Sequence, residues 1–385
     1  MPKLRIIEVV NVRWFNATAW YGLNLSRLLR KAGHEVLVIS PPGADSLAAA
    51  RDMNLDPLPL DLTSLNPAAL THATRRITAL LRDFTPHIVN CHRGESLILW
   101  GLLKKNAPCA LIRTRGDQRP PRGGLPNRLL HTRLTDAVIA ANSRSSAQCR
   151  DILGVPADRL YTIPGGVDSA RFAFDPAGRD RLRRAFGFTP DDLVVGLLGR
   201  FDKVKGHAEL LEAAQRIIQA RADAADARQT RLRLLFIGFP AGLSEQDMKQ
   251  AARDRGLEKI TRITGKVQDV PAHISALDLG IIPSQGSEAI ARAALEIMAC
   301  GVPLIGTDAG VMPDLLSPDA TAPVGDLAAL TALLDKALFR ADLRQTLRTQ
   351  QKKRMENLTD EAFVHHTLEV YRTALITRVP RGTVS

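Results

Sequence analysis

The stretch RIIEVVNVRWFNATAWYGLNLSRLLRKAGHEVLVI, residues 5–39, sets the fold. Arg5 to Val12 is an apolar, β-branched run, the composition of a strand buried on both faces. The loop Arg13 to Thr18 breaks it, and Leu25, Leu28 and Leu29 then give a helical stripe that ends at Gly33, where a left-handed residue closes many helices. Val36 to Ile39 reads as the next strand. Strand, helix and strand in this order make the unit from which parallel α/β sheets are built.

The same alternation continues outward. Pro57 to Leu60, His87 to Cys91, Cys109 to Arg113, Ala137 to Ala141 and Leu160 to Ile163 read as further strands, with a helix from Pro67 to Phe84, giving a first sheet of six or seven strands. Pro164 to Pro190, with Gly165-Gly166, Pro176 and Gly178, reads as a linker. A second series follows: Leu193 to Leu198, the helix His207 to Ala222, then Arg231 to Ile237, Ile260 to Thr264, Leu279 to Pro283, Val302 to Gly306 and Thr321 to Val324. The length of 385 residues suits two domains. We expect one over residues 1–172, a second over 173–357, and a terminal segment 358–385 whose helix returns toward the first, with the domains facing each other across a cleft.

The 52 Lys and Arg exceed the 40 Asp and Glu by 12, and the excess is uneven. Residues 1–172 hold 23 basic and 13 acidic side chains, the remainder 29 and 27. Charge confined to one part suggests a face that meets something anionic. Aromatic residues are only 4%, without basic and aromatic interleaving, so nucleic acid fits poorly. Cys91, Cys109, Cys149 and Cys300 are scattered, with no spacing for a metal site, and read as reduced buried thiols. Glu8 interrupts the N-terminal apolar stretch, which argues against a secretory signal, and no run is long enough to span a membrane. The expected location is the cytoplasm, with membrane contact only at the surface. Oligomeric state leaves no mark in the sequence.

In open α/β sheets ligands bind beyond the carboxyl ends of strands. Two motifs fall there. Gly199-Arg200-Phe201-Asp202-Lys203-Val204-Lys205-Gly206 follows a strand and precedes a helix, so Arg200 and Lys205 stand where backbone N–H groups also point outward, an arrangement suited to a diphosphate. A solvated basic loop is the plainer reading. Ser284-Gln285-Gly286-Ser287-Glu288 precedes a helix Ala289 to Ala299, placing Glu288 in the loop and Glu296 in an apolar helix. A carboxylate there needs a partner, either a ribose diol or a neighbour such as Arg292.

These residues carry a family resemblance. Leu25 to Val36, in the pattern LxxxLxxxGHEV, the Gly165-Gly166-Val167-Asp168 segment, the Gly199-Arg200 and Lys205-Gly206 loop, Glu288-x7-Glu296, and Gly301-Val302-Pro303 followed by Thr307-Asp308-Ala309-Gly310 resemble the retaining GT-B glycosyltransferases of family four, over nearly the whole chain. The resemblance implies two facing Rossmann-like domains. It implies that Arg200 and Lys205 hold the diphosphate of a nucleotide sugar and stabilise the charge that develops there, and that Glu288 binds the donor sugar. Glu296 would bind the ribose. Gly199, Ser287 and the backbone of Ala289, Ile290 and Ala291 would surround sugar and phosphate, and the loop Gly265 to Val270, through Val267, would meet the base. No metal or other cofactor is implied.

The chain departs from the family pattern in three places. Asn16-Ala17 replaces a glycine pair in the first loop, Ala291 replaces a glycine, which reads as a mild change, and Arg115 replaces a first-domain histidine. His92 is a candidate substitute, though a lone histidine is more often structural. Arg113, Arg115, Arg119, Arg122, Arg128 and Arg133 gather in a segment opposed only by Asp117, read as a loop. The acceptor side would then comprise Asn16, His92, Arg115, Asp117, Arg119 and Arg122 and receive an anionic glycan or glycolipid such as lipopolysaccharide core. A solvated or membrane-leaning basic loop is the alternative. The competing functions are a non-catalytic GT-B scaffold, or a GT-B relative such as an epimerase, which would need an acid/base pair that the sequence does not offer.

Overall fold

The computed structural model describes residues 2–378 apart from Leu65, Gln118, Ala227, Gln229, Thr230 and Ser287. The chain forms two compact units, Met1–Gly165 with Asp360–Ser385, and Gly166–Thr359. The break thus falls at Gly165/Gly166, a few residues before the expected one, because Val167 N–H bonds to Leu358 O (3.0 Å) and ties this segment to the second unit.

The first unit is a parallel sheet of seven strands: β1 (Arg5–Val9), β2 (Glu35–Ser40), β3 (Leu58–Pro59), β4 (Ile88–Cys91), β5 (Ala110–Arg115), β6 (Ala137–Ala140) and β7 (Leu160–Thr162), in the order β3-β2-β1-β4-β5-β6-β7. Every residue of β4, β5 and β6 is buried, as expected of strands covered by helices on both faces. The helix Ala17–Lys31 begins inside the expected loop because Asn16 caps it, its side chain accepting from Ala19 N–H at 3.1 Å. Strand pairing in β1 ends at Val9 rather than Val12. Of the Arg-rich segment read as a loop, Arg113 and Arg115 belong to β5, and Leu125–Leu129 is helical and continues through a wider turn, Leu130–Leu134.

The second unit has six parallel strands: β8 (Leu193–Leu198), β9 (Leu232–Ile237), β10 (Thr261–Ile263), β11 (Leu279–Ile282), β12 (Leu304–Thr307) and β13 (Thr321–Ala322), ordered β10-β9-β8-β11-β12-β13. Two doubly wound parallel sheets match the expected fold class. The order reverses direction at β1/β4 and at β8/β11, the kind of switch point beyond whose strand ends open α/β sheets bind ligands. The expected linker contains a helix, Pro176–Ala185. Pro176 and Gly178, read as breakers, occupy its first turn, where proline is favoured and where the Asp175 carboxylate accepts from Gly178 N–H at 2.9 Å.

Candidate active site

At the β8/β11 reversal two loops are stitched together. After β8 the backbone approaches Gly238 so closely that a Cβ there would stand 1.8 Å from Gly199 O. Asp202 then accepts from Val204 N–H (3.2 Å) and starts a single tight turn, Lys203–Lys205. Gly206 follows at φ 78°, with its Cα facing Pro283 O; a Cβ would lie 1.9 Å from that oxygen, so only glycine fits. The carbonyl of Val204 accepts from both Gln285 N–H (2.8 Å) and Ser284 Oγ (2.9 Å), and Thr307 Oγ1 donates to Ser284 O (2.6 Å).

This stitching brings the two predicted motifs into contact. Lys205 Nζ donates to Glu288 Oε1 at 2.6 Å, with the Glu288 side chain nearly buried and Lys205 one-fifth exposed. Glu288 is held from behind: its carbonyl accepts from Val311 N–H (2.8 Å), and Gly310, at φ 59°, lies against it where a Cβ would be 2.1 Å away. Thr307 to Gly310 therefore serves to seat Glu288. Arg200 is over half exposed, with Nη2 3.6 Å from Asp202 Oδ2. His207, first residue of the helix His207–Asp223, is buried against Phe201, and burial lowers its pKa to about 4.

Two expectations need correction here. The helix expected from Ala289 begins at Arg292, which leaves Ala289, Ile290 and Ala291 in the loop, buried beside Glu288. The change at Ala291 is not mild: its φ is 47°, in the left-handed region that glycine enters freely and alanine only with strain. Glu296 is paired with Arg292 at 3.1 Å, the second of its two alternatives, and burial raises its pKa while Arg292 opposes the rise. Val267 is half-buried, packed against the second unit's core next to Gly265 at φ 69°. Ser287 lies outside the described residues.

In the first unit most of the acceptor-side candidates are occupied in holding structure. Asn16 caps its helix. His92 is fully buried, its Nε2 2.7 Å from Glu8 Oε2, so its role is internal. Arg115 is buried, donating to Arg119 O, with Nη1 3.7 Å from Asp117 Oδ2. Asp117 also receives Arg113 Nη2 at 3.0 Å. Arg119 and Arg122 are exposed.

Sequence reasoning missed the cluster around Glu8. Tyr371 Oη donates to Glu8 Oε1 (2.7 Å), and Asn90 Nδ2 lies 3.0 Å from Glu8 Oε2 and 2.8 Å from Tyr371 Oη. Thr114 Oγ1 donates to Asn90 Oδ1 (2.8 Å). Burial, with the Glu8 charge added, pushes the Tyr371 hydroxyl pKa well up and keeps it a donor. Among the described residues no group of three or more His, Cys, Asp or Glu side chains could hold a metal ion.

Two family models match the chain, glycosyl transferases group 1 over residues 178–354 and glycosyltransferase family 4 over residues 18–171. Together they cover every strand of the two sheets except β1. The chain belongs to the GT-B glycosyltransferases of the family four type. Among curated GT-B relatives, the D-inositol 3-phosphate glycosyltransferase of Geodermatophilus obscurus is 30% identical over 54% of this chain and 44% of its own length. The chain spans about half the length of the first such relatives it matches. The lipopolysaccharide core biosynthesis mannosyltransferase LpsB of Rhizobium meliloti is 27% identical over 90% of this chain and 91% of that one. Among solved GT-B folds, a glycosyltransferase of Rickettsia africae superposes with a TM-score of 0.82 at 16% identity, covering 97% of this chain and 99% of that chain. HepE of Anabaena, solved with UDP, superposes with a TM-score of 0.80 at 16% identity, covering 97% and 100%.

Proposed function

We propose that the chain transfers a sugar from a nucleoside diphosphate sugar to a hydroxyl of an anionic saccharide or lipid-linked acceptor, with retention of anomeric configuration. The observation that carries this reading is the Lys205–Glu288 pair, 2.6 Å long, beside exposed Arg200 at the stitched ends of β8 and β11. The Glu288 carboxylate and the Lys205 cation meet beyond the strand ends at a topological switch point, and Arg200 belongs to the same loop as Lys205, which supports a reading with the carboxylate on sugar hydroxyls and the cations on a diphosphate.

In this reading Arg200 and Lys205 bind the diphosphate. They stabilise the negative charge that grows on it as the bond to the anomeric carbon breaks, the place where fixed charges contribute most to rate. The acceptor hydroxyl oxygen attacks the anomeric carbon on the face the diphosphate leaves, and its proton passes to the departing phosphate oxygen. The two side chains take the place of a divalent cation. Glu288 orients the sugar, and Glu296 exchanges its exposed partner Arg292 for the ribose hydroxyls, with Ala289 to Ala291 and Val267 lining the donor.

The nucleotide sugar is supported by the HepE fold neighbours, which were solved with UDP and with UDP-glucose. An anionic acceptor is supported by the names of relatives, which specify inositol 3-phosphate and lipopolysaccharide core. It is also supported by the basic first unit, where Arg119 and Arg122 remain free to solvent for recognition. A thermal-shift panel with uridine, guanosine and adenosine diphosphates tests the donor: one nucleotide should stabilise the chain, and stabilisation by none would remove the proposal. For the acceptor, replacing Arg119 and Arg122 by Ala should raise acceptor KM and leave donor KM unchanged.

A further inference from the structure

Large exposed apolar side chains are ordinary when single and informative when grouped. Four stand on two adjacent helices of the first unit. Ile98 (52% exposed) and Leu102 (49%) are one turn apart on the helix Leu97–Leu103, so they share a face. Leu125 (69%) and Leu129 (46%) are likewise one turn apart on the helix Leu125–Leu129. The two helices are neighbours: Leu97–Leu103 packs on the Leu130–Leu134 turn that continues the second helix, with Gly101 facing Leu134 closely enough that a Cβ would meet it at 3.0 Å. Trp100 and Leu97 anchor the first helix inward, which fixes Ile98 and Leu102 on its outward face.

The stretch of chain that carries these side chains is basic. Between Leu97 and Leu134 there are eight Lys and Arg and a single acid, Asp117, which is already bound to Arg113. Lys105, Arg128 and Arg133 are exposed on or beside the same two helices. Apolar side chains rimmed by cations on short surface helices are the complement of a bilayer interface, where the former enter the acyl boundary and the latter meet anionic headgroups.

We propose that this face, Ile98, Leu102, Leu125 and Leu129 with Lys105, Arg128 and Arg133, docks on an anionic lipid bilayer. The inference stands independently of the donor site, and it would place the enzyme where a lipid-linked acceptor resides. The test uses the whole chain in vesicle co-sedimentation with phosphatidylcholine alone and with phosphatidylcholine containing phosphatidylglycerol. The expected result is binding to the anionic vesicles only. That binding should weaken on going from about 0.1 M to about 1 M salt, as the screening length falls from about 10 Å to about 3 Å.

Leu125→Ser with Leu129→Ser should reduce binding at least about tenfold, and Lys105→Ser with Arg128→Ser and Arg133→Ser should abolish the anionic preference. Both variants should keep the melting temperature and the nucleotide-induced thermal shift of the parent. Failure of the parent to bind anionic vesicles, or full binding by the leucine variant, would overturn the proposal. So would a parent dimer that the leucine variant converts to a monomer, since the face would then be a protein interface.

Discussion

Lys205 joins the two loops of the second unit in one contact. Its ammonium lies 2.6 Å from Glu288, and in the proposed reaction the same charge faces the departing diphosphate. Lys205→Ala should therefore lower kcat/KM by about 10²–10³, the loss typical of removing one transition-state charge donor, measured as initial rates with the cognate donor. Ala291 is a different case, since its φ of 47° stores strain beside the same carboxylate. Ala291→Gly should relieve about 1 kcal/mol and raise Tm by about 2–4 °C for a unit of this size, read by calorimetry. Sequence pattern identified both positions but not the strain, because periodicity carries no information on the sign of φ.

At the scale of elements, the helix Asp360–Arg378 joins the first unit through Tyr371, which reaches Glu8 near the carboxyl end of β1. Asp360 adds a contact at its start, accepting from Asn24 Nδ2 (3.3 Å) and Arg27 Nη2 (3.2 Å). Tyr371→Phe should cost about 1 kcal/mol, the usual net worth of such a bond. Glu8→Ala should cost about 3–5 kcal/mol, because His92, Asn90 and Tyr371 would all lose a buried charged partner. Urea unfolding of the two single variants and the double variant should show a coupling above about 0.5 kcal/mol; strict additivity would mean the contact does not hold the helix.

The buried parallel strands were legible in the sequence because a strand covered on both faces is a plain apolar run. Glu8 was legible only as an interruption, since its partner Tyr371 is 363 positions away and local pattern cannot register it. The helix Pro176–Ala185 was hidden for the opposite reason: its proline and glycine sit at the helix start, where they do no harm. Glu296 shows a third limit, because two good partners were open to it and the sequence could not choose Arg292.

For the whole molecule, the division of charge survives the redrawn boundary. The first unit, with its returning helix, holds 25 basic and 15 acidic side chains, the second 27 and 25. Each unit also hides a histidine, His131 and His207, whose pKa burial lowers to about 4. An unfolded histidine binds its proton near pH 6.5, so the unfolded chain takes up protons first as pH falls. Stability should therefore decline between about pH 6.5 and about 4, by roughly a few kcal/mol for the pair, and be insensitive to these groups above that window. His207→Asn, which keeps a donor for Asp202 O, should flatten the slope in a pH series of melting curves.

The central claim is that the β8/β11 ends of the second unit bind a nucleoside diphosphate through Arg200 and Lys205. Calorimetric titration of the parent, Arg200→Ala and Lys205→Ala with the nucleoside diphosphate that stabilises the chain tests it most directly. The account predicts saturable binding by the parent that weakens by at least about tenfold in each variant, about 1.4 kcal/mol or more. Undiminished affinity in both variants, with their fold intact, would contradict it.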